Sequence, residues 1–193
     1  MLQFPGNIIL ASASPRRQQL LHEAGFSFDV LVKEVDESWP SQLKREQVAE
    51  YIATRKADAY TEEVNSGNII ITADTIVCTG DEILNKAADR NEAEAMLKKL
   101  SGKSHEVITA VCIRSKKQNS CFHSSTSVTF RELSDEEIDY YITTCKPFDK
   151  AGAYGIQEWI GLVAITSIHG SYHNVVGLPV AEVYSRLMSF QNH

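Results

Sequence analysis

The chain has 193 residues, of which 43% are hydrophobic and 23% are charged, and its formal net charge is −6. Length and composition predict a single soluble domain over residues 1–193, and the negative charge argues against a general nucleic-acid binder, which carries a basic face. Because no apolar run approaches the roughly 20 residues that cross a bilayer and the N-terminus lacks the basic start of a secretory signal, we expect a cytoplasmic protein without membrane attachment.

The first segment, residues 8–21, predicts a buried strand followed by a helix, with a loop of serines and arginines between them. Pro15 suits the first helical position, and Ser14 can cap the N–H groups of the first turn. Amide N–H groups and the helix dipole converge at such a helix start, and Arg16 and Arg17 add forked donors that match phosphate oxygens. Two interpretations are open here: a phosphate site, or a capped surface helix with solvated arginines.

The next elements alternate in type. We expect Gly25 to end the first helix, followed by a strand over residues 26–32, a carboxylate-rich loop over 33–42 and a helix over 44–60. Lys56 lies on the apolar stripe of that helix. Its ammonium group therefore either reaches past the stripe to solvent or emerges beside an anion.

Residues 68–78 have the strongest strand pattern in the chain, and one carboxyl group, Asp74, interrupts it. A buried, unpaired carboxylate costs several kcal/mol or changes its protonation state. In α/β sheets, ligands gather at the carboxyl ends of the strands. The pattern favours a site role for Asp74 over a structural one.

The second half of the chain predicts helices and a hairpin. Capping-box spacings at Asp89–Glu92 and Ser134–Glu137 indicate two helix starts, and residues 105–132 predict an antiparallel hairpin. The four cysteines are widely spaced and form no C-x-x-C pair, which indicates neither a zinc site nor a dense disulfide scaffold. We expect Cys78 and Cys112, in apolar runs, to be packed thiols.

A loop rich in glycine and small residues follows, with Lys150 and Gln157 as its polar side chains. Beyond it we expect a strand over residues 161–168 and a last helix within residues 174–188, begun by Pro179.

Cations and carboxylates recur at loops and element ends along the chain. The cations are Arg16, Arg17, Lys56, Lys86 and Lys150, and the carboxylates are Asp36, Glu37, Asp74 and Asp149. A polyphosphate site needs both, because cations hold the phosphates while carboxylates hold Mg²⁺ or deprotonate water. Counting charges does not show that they converge. The chain lacks the motif G-x-x-x-x-G-K-[ST], which excludes a P-loop NTPase.

Four motifs, in chain order, resemble the Maf family: S-A-S-P-R-R at 12–17, A-D-T-I-V at 73–77, D-K-A-G-A-Y-G-I-Q at 149–157 and N-V-V-G-L-P at 174–179. The resemblance spans nearly the whole chain and implies an α/β fold, a mixed twisted sheet flanked by helices with a central cleft, related to the inosine triphosphatases. It implies a nucleoside triphosphate pyrophosphatase that uses a divalent cation (Mg²⁺ or Mn²⁺) and forms a homodimer. The third and fourth motifs are similar to the branch that acts on dTTP and UTP, which implies a role in cleaning the nucleotide pool.

The resemblance also implies roles for individual residues. Asp74 matches the proton acceptor of the A-D-T motif, and positions tied to substrate choice match Arg16, Thr75 and Gln157. Asp36, Lys56 and Lys86 match other polar positions around the family's cleft. The phosphate-binding residues expected here are Ser12, Ser14, Arg17, Lys56, Lys86 and Lys150. The expected metal-binding residues are Asp36 and Asp74.

The amide of Gln157 offers one donor and one acceptor group, which could pair with N3–H and O4 of uracil or thymine. A methyl group is worth only ~1–3 kcal/mol in a pocket, so one site can accept both bases. The chain departs from the family at Ala87, where a proline is usual, and at Glu158, where many relatives have glycine. Glu158 could crowd the base pocket or point to solvent.

Two other functions stay open from the sequence. One is a nucleotide-binding regulator of septum formation or cell division with little turnover, and the other is a nucleotidyltransferase, which needs an acceptor co-substrate. The intact Asp74 favours the hydrolase, because a protein that only binds nucleotide has no need of a base.

Overall fold

The computed structural model describes residue 4 and residues 6–190. The remaining residues of the predicted domain, 1–3, 5 and 191–193, lie outside the described part of the chain. The assignment of residues 1–193 to one domain stays a prediction. None of the described helices has the length and apolar character needed to span a membrane.

Strands and helices are interspersed along the described chain. The strands are β1 (Ile8–Leu10), β2 (Asp29–Val30), β3 (Ile69–Thr79), β4 (Glu82–Leu84), β5 (Ser104–Arg114), β6 (Asn119–Phe130) and β7 (Ile165–His169). The helices are α1 (Pro15–Glu23), α2 (Glu46–Asp58), α3 (Thr61–Asn65), α4 (Arg90–Leu100), α5 (Asp135–Cys145), α6 (Trp159–Val163), α7 (Tyr172–Val176) and α8 (Val180–Phe190). A short 3₁₀ turn, Pro147–Asp149, follows α5.

The strands form one mixed sheet in the order β2-β1-β3-β5-β6-β7, with β4 paired to β3. β1 pairs in parallel with both β2 and β3, whereas β4 is antiparallel to β3 and β7 is antiparallel to β6. Parallel and antiparallel pairs in one sheet, with helices between the strands in sequence, confirm the predicted α/β fold.

The chain divides into two compact units. The first unit comprises the described chain up to Asp74, residues 109–124 and the chain from Gly177 onward. The second unit comprises residues 75–108 and 125–176. Three strands, β3, β5 and β6, contribute residues to both units.

In the first unit, the local predictions for α1 and α2 are confirmed. Pro15 occupies the first turn of α1 and Ser14 caps it, while Gly25 follows with a φ of 85°. The apolar stripe of α2 is buried at Val48, Ala49, Ile52, Ala53 and Ala57. Burial of this stripe fixes the rotation of α2 about its axis.

In the second unit, both predicted helix starts are confirmed. Asp89 caps α4 by accepting from the Glu92 N–H at 2.9 Å. Ser134 and Glu137 form a reciprocal capping box at the start of α5. These caps satisfy backbone donors that have no partner inside the helix.

Three predicted elements differ from those observed by more than a shift of one or two residues at their ends. The strand expected over 26–32 is only Asp29–Val30. Val30, Leu31 and Val32 are all exposed, so the apolar residues of this segment do not define a buried strand face. The strand expected over 161–168 begins at Ile165, and α6 precedes it, because periodicity does not separate a short apolar strand from a short helix. The range predicted for the last helix contains parts of two helices: Pro179 directly precedes α8, as predicted, and Gly177 with a φ of 124° separates α8 from α7.

One cysteine prediction is wrong. Cys112 is not a packed thiol but forms a disulfide with Cys121, whose Cα lies 4.1 Å away. The two residues lie on consecutive strands, β5 and β6, which are neighbours in the sheet, and residue spacing along the chain did not reveal this pairing. Cys78 is a buried free thiol, as predicted.

Replacing Cys121 tests the contribution of the disulfide. We expect Cys121→Ser to lower the free energy of unfolding by about 2–3 kcal/mol, because a cross-link restricts the unfolded chain even when the closed loop is short. Urea unfolding of the oxidised protein, compared with the reduced protein, measures the effect. Cys145→Ser removes a free cysteine and serves as the control. Equal unfolding midpoints for Cys121→Ser and the oxidised wild type would contradict the expectation.

Candidate active site

Three charged side chains meet in the first unit. The Lys56 ammonium Nζ lies 2.7 Å from Asp74 Oδ1 and 2.7 Å from Glu37 Oε1. The Asp74 side chain is 12% exposed and that of Lys56 is 17% exposed, whereas Glu37 reaches in from an exposed loop. We call Glu37, Lys56 and Asp74 the carboxylate–lysine cluster.

The cluster follows from how α2 packs on β3. Lys56 lies on α2 one turn beyond the buried Ile52. Thr72 Oγ1 on β3 donates to the Ala53 carbonyl of α2 at 2.8 Å, which ties the helix to the strand two residues before Asp74. Of the two alternatives left open for Lys56, the structure shows the one in which its ammonium meets anions.

Burial raises the pKa of Asp74, while the positive charges of Lys56 and Arg17 oppose that rise. The negative charge of Glu37 raises the pKa further. A carboxylate in this environment takes up a proton more readily than a solvated aspartate does. A carboxylate with a raised proton affinity is a candidate general base.

Arg17 is bonded to main-chain oxygens on two sides. Its Nε donates to the Gly177 carbonyl at 2.8 Å, and its Nη1 donates to the Ala73 carbonyl at 3.0 Å and to Ser12 Oγ at 3.3 Å. Burial lowers the pKa of Arg17, and the nearby charge of Asp74 opposes that effect. Arg17 therefore fixes the strand residue that precedes Asp74 and also places positive charge beside it.

The serine–arginine loop has the geometry of a capped helix start. Ser14 Oγ accepts from the Arg17 N–H at 3.5 Å, and Ser12 Oγ accepts from the Ser14 N–H at 3.3 Å. Arg16, next to Pro15, is half-buried. The hydroxyls of Ser12 and Ser14 thus hold the loop in shape, and their predicted contacts with phosphate stay predictions.

The acidic loop brings Glu37 rather than its neighbour Asp36 to Lys56. Asp36 accepts from the Ser38 N–H at 2.9 Å and from Ser38 Oγ at 2.6 Å, and Arg55 lies 3.3 Å away. These hydrogen bonds from Ser38 lower the pKa of Asp36. Sequence reasoning grouped both carboxylates together, because adjacent residues in a loop give no indication of which one turns inward.

No group of three or more His, Cys, Asp and Glu side chains that could hold a metal ion occurs within residue 4 and residues 6–190. Even so, oxygens of Glu37 and Asp74 converge on one cation, the Lys56 ammonium. Mg²⁺ characteristically takes one or two protein carboxylates and completes its shell with phosphate oxygens and water. Two carboxylates are enough protein ligands for such an ion, but their oxygens are bonded to Lys56 here, so Mg²⁺ binding stays a prediction.

In the second unit, the loop rich in glycine and small residues (149–157) carries Lys150 and Gln157, and Glu158 follows it directly. Lys150 is only 8% exposed, and its Nζ lies 2.6 Å from Asp149 Oδ1 and 2.8 Å from Glu158 Oε1. Lys150, predicted to bind phosphate, is thus bonded to two carboxylates. Gln157 is exposed, and its amide has no hydrogen-bond partner among the described residues.

The predicted phosphate-binding Lys86 lies in a segment that is fixed by backbone bonds. Lys86 forms an isolated antiparallel bridge with Ala151, and the Gly152 N–H donates to the carbonyls of Leu84 and Asn85 at 3.0 and 3.1 Å. These bonds hold the segment although Ala87 replaces the usual proline. The Lys86 side chain is exposed, and Thr75, which follows Asp74 on β3, is half-buried.

The buried His105 contacts the loop over residues 149–157 through Tyr154. His105 Nε2 lies 2.8 Å from the Tyr154 hydroxyl, and the rings of His105, Tyr154 and Phe130 meet edge to face. Burial lowers the pKa of His105 to about 4, so the ring is neutral at pH 7. Sequence reasoning did not single out His105, since a lone histidine in a strand has no distinctive spacing.

Comparisons with known proteins agree with one another. A family model described as Maf-like protein matches residues 7–190. A dTTP/UTP pyrophosphatase of Flavobacterium psychrophilum is 48% identical over 182 residues, 94% of this chain and 93% of that protein. A dTTP/UTP pyrophosphatase of Phocaeicola vulgatus is 50% identical over 181 residues, 93% of this chain and 94% of that protein.

Among solved structures, the Ham1 protein of Staphylococcus aureus is similar with a TM-score of 0.51 and 15% identity, over 93% of this chain and 99% of that one. At this identity the likeness concerns the fold alone, and it agrees with the mixed α/β sheet described above.

Protonation of His105 on acidification should destabilise the protein. The pKa of the folded form is lowered, so the unfolded chain binds the proton first, and stability present above about pH 6.5 is lost as the pH falls towards 4. We expect the free energy of unfolding to fall by about 2 kcal/mol between pH 7 and pH 5, and His105→Gln to remove most of that loss. Urea unfolding at both pH values measures it.

The control for this measurement is His173→Gln, which replaces an exposed histidine of the same unit. This variant should keep the pH dependence of the wild type. A His105→Gln protein that loses as much stability as the wild type between the two pH values would contradict the assignment to His105.

Proposed function

Because this chain belongs to the Maf family of proteins, we propose that it is a nucleoside triphosphate pyrophosphatase that hydrolyses dTTP and UTP. The products are the nucleoside monophosphate and pyrophosphate, and the biological role is removal of these or modified pyrimidine nucleotides from the pool. The observation that carries the proposal is Asp74, a buried carboxylate with a raised pKa that is bonded to Lys56.

In the proposed reaction, Asp74 accepts a proton from water as the water oxygen bonds to the α-phosphorus. The bond from that phosphorus to the bridging oxygen breaks, and pyrophosphate leaves with the electron pair. A positioned carboxylate contributes about 10²–10⁴-fold to such a step as a general base. Lys56 orients the Asp74 carboxylate and compensates its charge before the proton arrives.

The departing pyrophosphate carries growing negative charge, which must be neutralised. We assign part of this task to the N-terminus of α1 with Arg16 and Arg17, where amide N–H groups, helix dipole and guanidinium groups coincide. A bound Mg²⁺ or Mn²⁺ would supply further charge neutralisation, with Glu37 as a protein ligand, and metal binding by Asp74 is the alternative to its role as the base. Asp36, the other predicted metal ligand, stays a prediction.

Base selection is assigned to the Gln157 amide, which is exposed and has no partner among the described residues. Its donor and acceptor groups match the O4 and N3–H edge shared by uracil and thymine. Roles for Arg16 and Thr75 in substrate choice, a homodimeric assembly and a cytoplasmic location stay predictions.

A nucleotide-binding regulator with little turnover is the less favoured function. The similar curated proteins are named as pyrophosphatases. A protein that only binds the nucleotide would also gain nothing from a buried carboxylate with a raised pKa beside its phosphate-binding loop.

Replacing Asp74 tests the base. In an assay of pyrophosphate release with Mg²⁺ or Mn²⁺, the wild type should hydrolyse dTTP and UTP in preference to other nucleoside triphosphates. Asp74→Asn keeps the size of the side chain but removes its basicity, so we expect kcat to fall by about 10²–10⁴-fold. Asp58→Asn, which removes an exposed carboxylate from α2, is the matched control and should keep the wild-type kcat. Tight dTTP binding by the wild type without release of pyrophosphate would support the regulator instead.

Replacing Lys56 tests the electrostatics of the same site. Asp74 must be ionised to accept a proton, so kcat/KM falls as the pH drops through its pKa. Because Lys56 opposes the rise in the pKa of Asp74, Lys56→Met should move the acid limb of the pH profile to higher pH. Lys33→Met removes a different cation of the first unit, paired with Glu63, and should leave the limb in place. A limb at unchanged pH in Lys56→Met would mean that another group titrates there.

A further inference from the structure

Building on the proposed function, in which Gln157 contacts the base, we propose that Glu158 and Tyr141 are positioning residues. They fix the turn that carries Gln157 and thereby set the selectivity for uracil and thymine over cytosine. Neither residue needs to touch the substrate for this effect.

A chain of hydrogen bonds encloses the turn over residues 155–158. The Gly155 N–H donates to the Tyr141 hydroxyl oxygen at 3.0 Å, and the Tyr141 O–H donates to Glu158 Oε2. Glu158 Oε1 in turn lies 2.8 Å from Lys150 Nζ. The two carboxylate oxygens of Glu158 thus bond different partners, which fixes the rotation of its carboxylate group.

In this hydrogen-bond network, each hydrogen bond has only one possible donor and one possible acceptor. Burial, and then the hydrogen bond to the Glu158 carboxylate, raise the pKa of Tyr141 above its ordinary value, so its hydroxyl keeps its proton. That proton can go only to Glu158, because the Gly155 N–H is itself a donor. A network with one possible arrangement holds its members in one geometry.

Gln157 lies inside this enclosed turn. The Glu158 N–H donates to the Gly155 carbonyl at 3.0 Å, and this hydrogen bond closes a turn that contains Gln157. The neighbouring Tyr154 and Ile156 are 5% and 6% exposed, whereas Gln157 is exposed. The backbone of the turn is anchored, and the amide of Gln157 projects from it into solvent.

The side chains of the network lie close to the backbone of the turn at Gly155. A Cβ atom at this position would lie 2.9 Å from Glu158 Cδ and 3.1 Å from Lys150 Cε. Real Cβ atoms essentially never lie within 3.0 Å of such an atom, and a contact of 3.1 Å is tighter than nine in ten real Cβ contacts. The side chains of Glu158 and Lys150 thus occupy the space that a larger residue at 155 would need.

The proposed effect on selectivity follows from the demands of amide pairing. A donor and an acceptor must both align with the base edge, so a small displacement of Gln157 loses both hydrogen bonds. Displacement weakens the contact with uracil, yet it leaves Asp74 and its partners in the first unit unaltered. Base selectivity should therefore change more than turnover.

The first measurement is the ratio of kcat/KM for UTP over CTP in Glu158→Ala, Glu158→Gln, Tyr141→Phe and Gln157→Ala. Glu158→Ala and Tyr141→Phe should each lower the ratio about tenfold, through a higher KM for UTP and with kcat nearly unchanged. Glu158→Gln keeps an acceptor for the Tyr141 hydroxyl and should restore most of the ratio. In each Glu158 variant Lys150 keeps Asp149 as a partner, so no buried cation is left unpaired.

The second measurement is amide hydrogen exchange in the absence of nucleotide. Glu158→Ala and Tyr141→Phe should accelerate exchange about tenfold or more in peptides that contain residues 152–161, with peptides of the first unit unchanged. Tyr140→Phe, which removes the hydroxyl of an exposed tyrosine on the same helix, is the matched control and should leave exchange as in the wild type.

The outcomes separate this proposal from the proposed function. If Gln157→Ala lowers the UTP/CTP ratio but Glu158→Ala and Tyr141→Phe leave it unchanged, the positioning role is overturned and the proposed function stands. If Gln157→Ala itself leaves the ratio unchanged, the base-reading role of Gln157 is wrong, and the positioning proposal fails with it. Unchanged exchange in Glu158→Ala and Tyr141→Phe also overturns the positioning role.

Discussion

The structure of the first unit depends on the Lys56 ammonium group, which is bonded to the carboxylates of Asp74 and Glu37. Asp74 is buried on β3, and a carboxylate there is stable only because Lys56 compensates its charge and Thr72 holds the helix that carries Lys56. Glu37 joins the same ammonium from a loop. The groups that give the site its chemistry are therefore also the groups that connect α2 and the acidic loop to β3, so chemistry and folding constrain the same residues.

Much of the fold could be predicted because its determinants are local. Pro15 and Ser14 mark the start of α1, Ser134 and Glu137 mark the start of α5, and the apolar residues of β3 identify the strand. Each of these patterns lies within a few residues of the element it defines. Residues 161–164 were assigned wrongly, because four apolar or small residues fit a helix as well as a strand.

The site could be predicted in its residue types but not in its pairings. Sequence reasoning identified Asp74 and Lys56, yet it did not show that Glu37 and not Asp36 reaches Lys56. It likewise gave no indication that Lys150 is bonded to Asp149 and Glu158, and the predicted contact of Lys150 with phosphate stays a prediction. The partner of a long side chain depends on which distant segments meet, and that information is not contained in spacing along the chain. The disulfide of Cys112 was missed for a different reason: its partner Cys121 lies nine residues away in the same predicted hairpin, but residue spacing does not indicate the register that places the two cysteines side by side.

The close approach at Gly155 has an evolutionary consequence. The backbone of Gly155 lies outside the left-handed region, so its conformation is open to any residue and only the space above it is occupied. That space is filled by the ends of two flexible side chains, Glu158 and Lys150. Alanine at 155 would displace the ends of these two side chains, and its cost depends on how firmly their bonds to Tyr141 and Asp149 hold them; a smaller residue at 158 would remove one of the two close contacts. The two positions are epistatic, and the order in which their mutations arise decides which evolutionary paths remain open.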